Sequence, residues 1–328
     1  MAADEKLNRL NSLLSDAKEL VLSAKCEQTK LKYASYWKKF ERWATINGLP
    51  TKLPVSPYYV GLFLTHIAKF CKSKSSLEAY YYGIKWAHDV CGAEDPTKDS
   101  FTRLVLEGAK RKLNPISSKK EYFTPDILTK ICSRYAATQS SLRELRFSAM
   151  CVLAFAGFLR ISEVLSLKFG NVKIHSDHIA IFIAKSKNDV YSKGKEVLIV
   201  KGNTSACPKR VVLDYFECSG LFSDNSEKFI FRALTSKNNK MTLVKNNIPI
   251  SYTRARDELR HFISILGYDK SMFGWHSFRH GGATAAARSG VPDRLFKEHG
   301  RWRSEISKDN YVHASTMDKL SVTNSLKL

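Results

Sequence analysis

The segment His276-Ser-Phe-Arg279-His280-Gly-Gly-Ala-Thr284 sets a histidine and an arginine three residues apart, just ahead of the apolar run Ala285-Ala-Ala287. Residues at i and i+3 share one face of a helix, so this spacing puts an imidazole beside a guanidinium. One can carry a proton and the other can hold an oxyanion, both around a single atom. Two polar residues satisfied at a helix start would give the same letters. Three ionisable side chains within five positions favour a site. No carboxylate or cysteine accompanies these histidines at helical spacing, so a metal centre is not expected.

Two further segments flank this one. Upstream lies Ala156-Gly157-Phe-Leu-Arg160-Ile-Ser-Glu163-Val-Leu-Ser-Leu167, an arginine at the end of a buried-looking apolar run with a carboxylate three residues on. The spacing predicts that Arg160 and Glu163 share a helix face. Taken alone, a surface ion pair explains them; arginine is also permanently charged and forks onto phosphate oxygens. Downstream lies His299-Gly-Arg-Trp302, with Tyr311 nine positions after the tryptophan. The chain has 14 tyrosines, so a single one carries little weight. A phenol, with a pKa of about 10, also needs cations or a base beside it before it attacks anything at neutral pH.

Periodicity supplies the frame. Apolar residues at three- and four-residue spacing predict helices over 7–25, 29–47, 56–71, 75–91 and 99–113. Ser56-Pro57 and Thr124-Pro125 read as N-cap and N1, and Gly48 as a C′ stop. The aromatic stripes of these helices read as core rather than as base-stacking platforms. Asn114 to Lys120 carries Pro, two Ser and two Lys without periodicity and reads as a linker. Beyond it come helices over 142–157 and 162–168, then two β-branched segments, 178–184 and 196–201, joined by a polar tip with four lysines. Helices return from Tyr252. The expected class is mainly α with a small antiparallel β-sheet, in two domains, 1–117 and 118–328.

The 328 residues hold 53 Lys+Arg against 31 Asp+Glu, a formal net charge of +22. That balance predicts a polyanionic partner, because phosphate neutralisation releases counterions. Residues 1–120 carry a net +9 and residues 121–328 a net +13, so the charge is not a basic tail on a neutral body. Two basic lobes suit a clamp on a duplex. No apolar run reaches 18 residues, which excludes a spanning helix, and the first residues show no secretory pattern. Seven scattered cysteines without Cys-x-x-Cys indicate neither a disulfide framework nor a zinc site and suggest an intracellular compartment.

In order and spacing, the three segments resemble the signature of the tyrosine recombinases, the family of phage integrases, Cre and the Xer proteins: Arg, Lys, His-x-x-Arg, His or Trp, then Tyr. Gly157-Phe-Leu-Arg160-Ile-Ser-Glu163 is similar to the first arginine box, His276-Ser-Phe-Arg279-His280 to the second, and Trp302 precedes Tyr311 by the family interval. Ser186-Lys187-Asn-Asp189 looks like the family's hairpin tip, with Lys187 favoured as its lysine and Lys185 the runner-up. The Gly-Arg-Trp form resembles eukaryotic mobile-element recombinases of the DIRS-like or Crypton type. The likeness is dense over about residues 150–315 and architectural over 1–117.

This resemblance implies an N-terminal helical core-binding domain, a C-terminal catalytic domain, and strand exchange on double-stranded DNA with neither metal nor other cofactor. It implies Tyr311 as nucleophile, with Arg160, Arg279, Lys187, His276 and Trp302 around the phosphate. Glu163, His280 and His299 would support them. Lys110, Arg111, Lys112 and Lys185 are the expected DNA contacts. It also implies a tetramer of two dimers on DNA, coupled through the segment after Tyr311, and a nuclear location if the source is eukaryotic. The rival readings are a DNA-binding protein of the same fold that no longer cuts, a type IB topoisomerase-like relaxing enzyme, and a basic RNA-binding scaffold.

Overall fold

Side-chain caps start many of the helices. Ser73, Asp99, Thr124, Ser141 and Ser251 each accept from a backbone N–H of the first turn, and Ser141 with Glu144 forms a reciprocal capping box. In this computed structural model the described residues are 2–113, 120–186, 194–237, 240–309, 311, 320–321 and 323–326. They fall into two units, Met1–Ser117 and Ser118–Leu328. The expected linker, 114–120, lies outside the described residues apart from Lys120.

The first unit holds α1 (Ala2–Ser23), α2 (Glu27–Ile46), α3 (Pro57–Ala68), α4 (Lys74–Cys91) and α5 (Ser100–Lys112). Its core is Phe40, Val60, Phe63, Leu64, Leu77, Ile84 and Leu106. The aromatic stripe of α2 is core: Phe40 meets Phe63 edge-on at 5.3 Å, and Trp37 stacks on Phe40. The apolar face of α1 differs, for Leu10, Leu14 and Val21 stay exposed.

The second unit contains α6 (Pro125–Tyr135), α7 (Leu142–Ala156), α8 (Ile161–Leu165), β1 (Val172–Ile174), β2 (His178–Ile183), β3 (Lys195–Val200), α9 (Pro208–Ser219), β4 (Leu234–Lys237), β5 (Lys240–Leu243), α10 (Tyr252–Ile265), α11 (Trp275–Arg288), α12 (Asp293–Gly300) and α13 (Glu305–Asp309). Strands β1-β2-β3 form one antiparallel sheet, with Ile181 opposite Val197 and Ile179 opposite Ile199. Those four residues face the core, while Phe182, Leu198 and Val200 alternate outward. Helix α7 is buried almost throughout and forms the spine of this unit. Helix α11 packs tightly against α7 and against the segment that precedes α6. A Cβ on Gly281 would sit 1.8 Å from the Phe123 carbonyl oxygen, and one on Gly282 would sit 2.1 Å from that of Phe155.

Two expectations need correction, and one element was not foreseen. The helix expected over 162–168 ends at Leu165, because residues 167–169 bond to 228–230 instead: the Ile230 N–H reaches the Leu167 carbonyl at 2.9 Å and the Phe169 N–H the Lys228 carbonyl at 2.8 Å. Arg160 does not share a helix face with Glu163. It is the extended N-cap of α8, with φ −71° and ψ 147°. The hairpin β4–β5 was not expected, since its strands are short and polar and lack an apolar alternation.

Candidate active site

The turn between α7 and α8 builds one wall. Gly157 ends α7, and Phe158 then takes φ +46°, in the left-handed region that disfavours a side chain. The strain turns the Phe158 carbonyl toward the second arginine box. Arg279, fully buried on α11, donates Nη1 to that carbonyl and Nη2 to the Gly300 carbonyl at 2.6 Å. Arg160 lies alongside and donates Nη1 to Glu163 at 2.8 Å. Glu163 is buried and also takes Arg301 Nη2 at 2.9 Å, with Arg279 Nη1 at 4.0 Å. One carboxylate therefore faces three guanidinium groups.

Burial sets the electrostatics. Desolvation and the neighbouring Arg160 pull the Arg279 pKa down to about 10. At neutral pH it is still a cation, packed among others, with Glu163 beside them to offset part of the charge. Burial alone would push the Glu163 carboxyl up, but Arg301, the Arg160 backbone N–H, and the Arg160 and Arg279 guanidiniums hold it below its usual value. An anion placed beside this cluster would meet surplus positive charge.

Tyr311 is half-buried beside this cluster. Its backbone is tied by its own N–H to the Lys308 carbonyl at 2.9 Å, and by Thr284 Oγ1 to its carbonyl at 3.2 Å. Four groups enclose its ring. The Arg279 Cζ is 4.9 Å from the centroid, and the rings of His280, His276 and Trp302 lie at 4.5, 5.1 and 5.2 Å. Trp302 is buried, and its indole Nε1 has no partner among the described residues; the same holds for Arg279 Nε. Beside the Tyr311 ring, these are buried donors with no acceptor among the described residues.

The structure thus gathers Arg160, Glu163, His276, Arg279, His280, Trp302 and Tyr311 in one place. His280 lies nearer the phenol than a supporting role suggests. His299 points elsewhere: its Nε2 bonds to the Ala156 carbonyl at 2.8 Å, and burial lowers its pKa, keeping it neutral. Lys187 lies outside the described residues. Lys185 is exposed just beyond β2, and the neighbouring Ser186 lines a cavity of about 260 Å³ together with Lys195, Arg301 and Trp302. In the other unit, Lys110 is paired to Glu78 at 2.7 Å and Glu107 at 3.0 Å, while Arg111 and Lys112 are exposed. Sequence reasoning passed over Arg301 and Thr284. The available signal for Arg301 was its place directly before Trp302.

A strained turn, a carboxylate shared by three arginines and a phenol ringed by a guanidinium, two imidazoles and an indole point to a class, the tyrosine-type DNA strand transferases. Residues 122–317 match the phage integrase family, and the chain belongs to that family. Its activity is accordingly site-specific DNA recombination by a tyrosine recombinase. Over 314 residues it is 23% identical to an integrase/recombinase XerD homolog of Selenomonas ruminantium, covering 94% of this chain and 88% of that one. Its fold is similar to that of the Tn1549 transposon integrase in complex with transposon right end DNA (TM-score 0.60, 13% identity, 93% and 95% of the two chains). It is also similar to the XerH site-specific recombinase bound to palindromic difH substrate (TM-score 0.58, 16% identity, 91% and 78%). None of the described helices is long and apolar enough to cross a membrane.

Proposed function

We propose that Tyr311 is the nucleophile of strand exchange. The convergence of Arg279, His276, His280 and Trp302 on its ring carries this reading. The phenolic oxygen attacks a scissile phosphate; a bond to phosphorus forms, the bond to the 5′-oxygen breaks, and a 3′-phosphotyrosyl link remains with a free 5′-hydroxyl. One phosphate ester replaces another, so the step needs no high-energy cofactor. His276 takes the phenol proton. Arg160 and Arg279 donate to the non-bridging oxygens as charge builds there, and the Trp302 indole N–H adds a further donor. Lys187, with Lys185 as its alternative, protonates the departing 5′-oxygen. Reversal of these steps on a partner strand completes the exchange.

The unit 1–117 is assigned a core-binding role on duplex DNA, with Arg111 and Lys112 among its phosphate contacts. A tetramer of two dimers is the assembly proposed on DNA. Its test is deletion of residues 316–328, which should leave DNA binding intact and abolish assembly and exchange.

The chemical step is tested with a pool of nicked, random-sequence duplexes. A nick just 3′ of the cut lets the short product leave and traps the covalent complex. Denaturing gels should show a protein–DNA band with the wild type and none with Tyr311→Phe. A band that survives in that variant removes Tyr311 from this role. Relaxation of supercoiled plasmid without any sequence preference would move the reading to a topoisomerase-like enzyme.

A further inference from the structure

Arg301 takes a conformation that an arginine normally avoids. As the cap just after α12 it has φ +55°, in the left-handed region, yet its side chain is buried. The guanidinium crosses to the opposite wall of the site. Nη1 donates to the Gly157 carbonyl at 3.2 Å and to the His299 carbonyl at 3.0 Å. Nη2 donates to the Phe158 carbonyl at 3.1 Å and to Glu163 Oε2 at 2.9 Å. Glycine would suit the backbone better, so the side chain is held there by these four contacts. Two of its acceptors are themselves partners of other site arginines. The Phe158 carbonyl also takes Arg279, and Glu163 also takes Arg160.

We infer that Arg301 is a positioning residue for strand cleavage: it latches the chain segment carrying Trp302 to the turn carrying Arg160, and by occupying Glu163 and the Phe158 carbonyl it sets where Arg160 and Arg279 point. The inference rests on the proposed reaction for its kinetic consequence, but the latch itself belongs to the protein alone. Arg301 needs no contact with DNA to act. Its loss leaves Glu163 short of a cation and leaves the Phe158 carbonyl to Arg279 alone, so both phosphate-facing arginines can settle into other geometries. A misplacement of about 1 Å at such a site lowers rate by roughly 100-fold.

The experiment uses full-length Arg301→Gly, which relaxes the backbone while removing the latch, and Arg301→Lys, which keeps the charge but cannot bridge four acceptors. Hydrogen exchange without DNA should be about tenfold faster in residues 157–163 and 299–303 of Arg301→Gly, with the rest of the unit unchanged. Adduct formation on the nicked duplex pool should fall about 100-fold at saturating protein, with little change in DNA affinity. Guanidinium ion at non-denaturing concentration should restore at least part of that rate to Arg301→Gly, whereas urea, its neutral isostere, should not. Arg301→Lys should fall between the two proteins. Unchanged exchange in both segments overturns the latch. An unchanged adduct rate, or equal rescue by urea, overturns the positioning role. If the wild type itself forms no adduct, the reaction proposed above has failed, and the exchange result alone decides the latch.

Discussion

Glu163 accepts from Arg160 twice, taking its backbone N–H at 2.9 Å on one carboxylate oxygen and its guanidinium at 2.8 Å on the other. The carboxylate therefore caps α8 and aims a site arginine in one stroke. Removing the charge while keeping the shape isolates its electrostatic part. Glu163→Gln should lose about 3–5 kcal/mol of stability at neutral pH, the usual effect of leaving buried charges unpaired. The folded-state pKa is depressed, against the pull of burial, by Arg301, Arg160 and Arg279. The stabilisation is thus fully present above the unfolded value, about 4.3. It is lost as pH falls through the lower folded value. Urea unfolding should show a wild-type advantage at neutral pH that shrinks only below about pH 4. An advantage of equal size in strong acid would trace the effect to packing instead of charge.

Arg160 and Arg279 are read as fork donors, and lysine tests that directly. Arg160→Lys and Arg279→Lys keep a positive charge but present it as a point, without two parallel N–H groups. Each should slow covalent adduct formation by about 100- to 1000-fold, the range seen when one transition-state donor is lost. DNA affinity at fixed salt should change little, because most of it comes from other cations. Arg279→Lys should also lower thermal stability, since its guanidinium bridges the Phe158 and Gly300 carbonyls from a fully buried position. Near-normal cleavage by Arg160→Lys would remove it from the phosphate.

Much of this was legible in the sequence because the decisive signals are local. The spacing of His276 and Arg279, the helix start at Thr124-Pro125, and the apolar run of α7 each depend on a few adjacent residues. The interval from Trp302 to Tyr311 was legible for the same reason. What escaped depends on distant backbone. The early end of α8 comes from pairing of 167–169 with 228–230, some sixty residues away. The role of Arg301 depends on a left-handed backbone angle and on acceptors 138 to 144 positions upstream, apart from the nearby His299 carbonyl. Conversely, α1 has a helical period as clear as that of α2, yet its apolar face is unpacked in the single chain. Periodicity predicts a helix, and it does not say which helix finds a partner.

The Gly281–Gly282 pair should be a steric switch for the whole site. Either alanine would drive a Cβ into a backbone carbonyl, at 1.8 Å from Phe123 or 2.1 Å from Phe155, and backbone cannot swing away as a side chain can. Displacing α11 from the Phe123 or the Phe155 carbonyl would carry Arg279 away from the Phe158 carbonyl. Gly281→Ala and Gly282→Ala should each cost at least the 1–3 kcal/mol typical of overpacking and should abolish adduct formation. Gly108→Ala is the control. It lies inside α5 with nothing near its Cβ position, so it should gain about 0.5–1 kcal/mol from reduced unfolded-state entropy. Thermal unfolding of the three variants side by side reads both signs at once.

The basic end of α5 separates free charge from spent charge. Lys110, Arg111 and Lys112 look alike in sequence, but Lys110 is held by Glu78 and Glu107, and those carboxylates raise its pKa. A lysine already neutralised at short range releases few counterions when DNA arrives. Arg111 and Lys112 are exposed and are the ones proposed to meet phosphate. The slope of log affinity against log salt reads this difference. Arg111→Ala or Lys112→Ala should reduce its magnitude by about 1 each. Lys110→Ala should leave the slope nearly unchanged, because its charge is already met by Glu78 and Glu107. Fluorescence anisotropy with a labelled duplex across a salt series measures all three. A full unit lost with Lys110→Ala, and none with the other two, would place the phosphate contact on the paired lysine and refute the assignment.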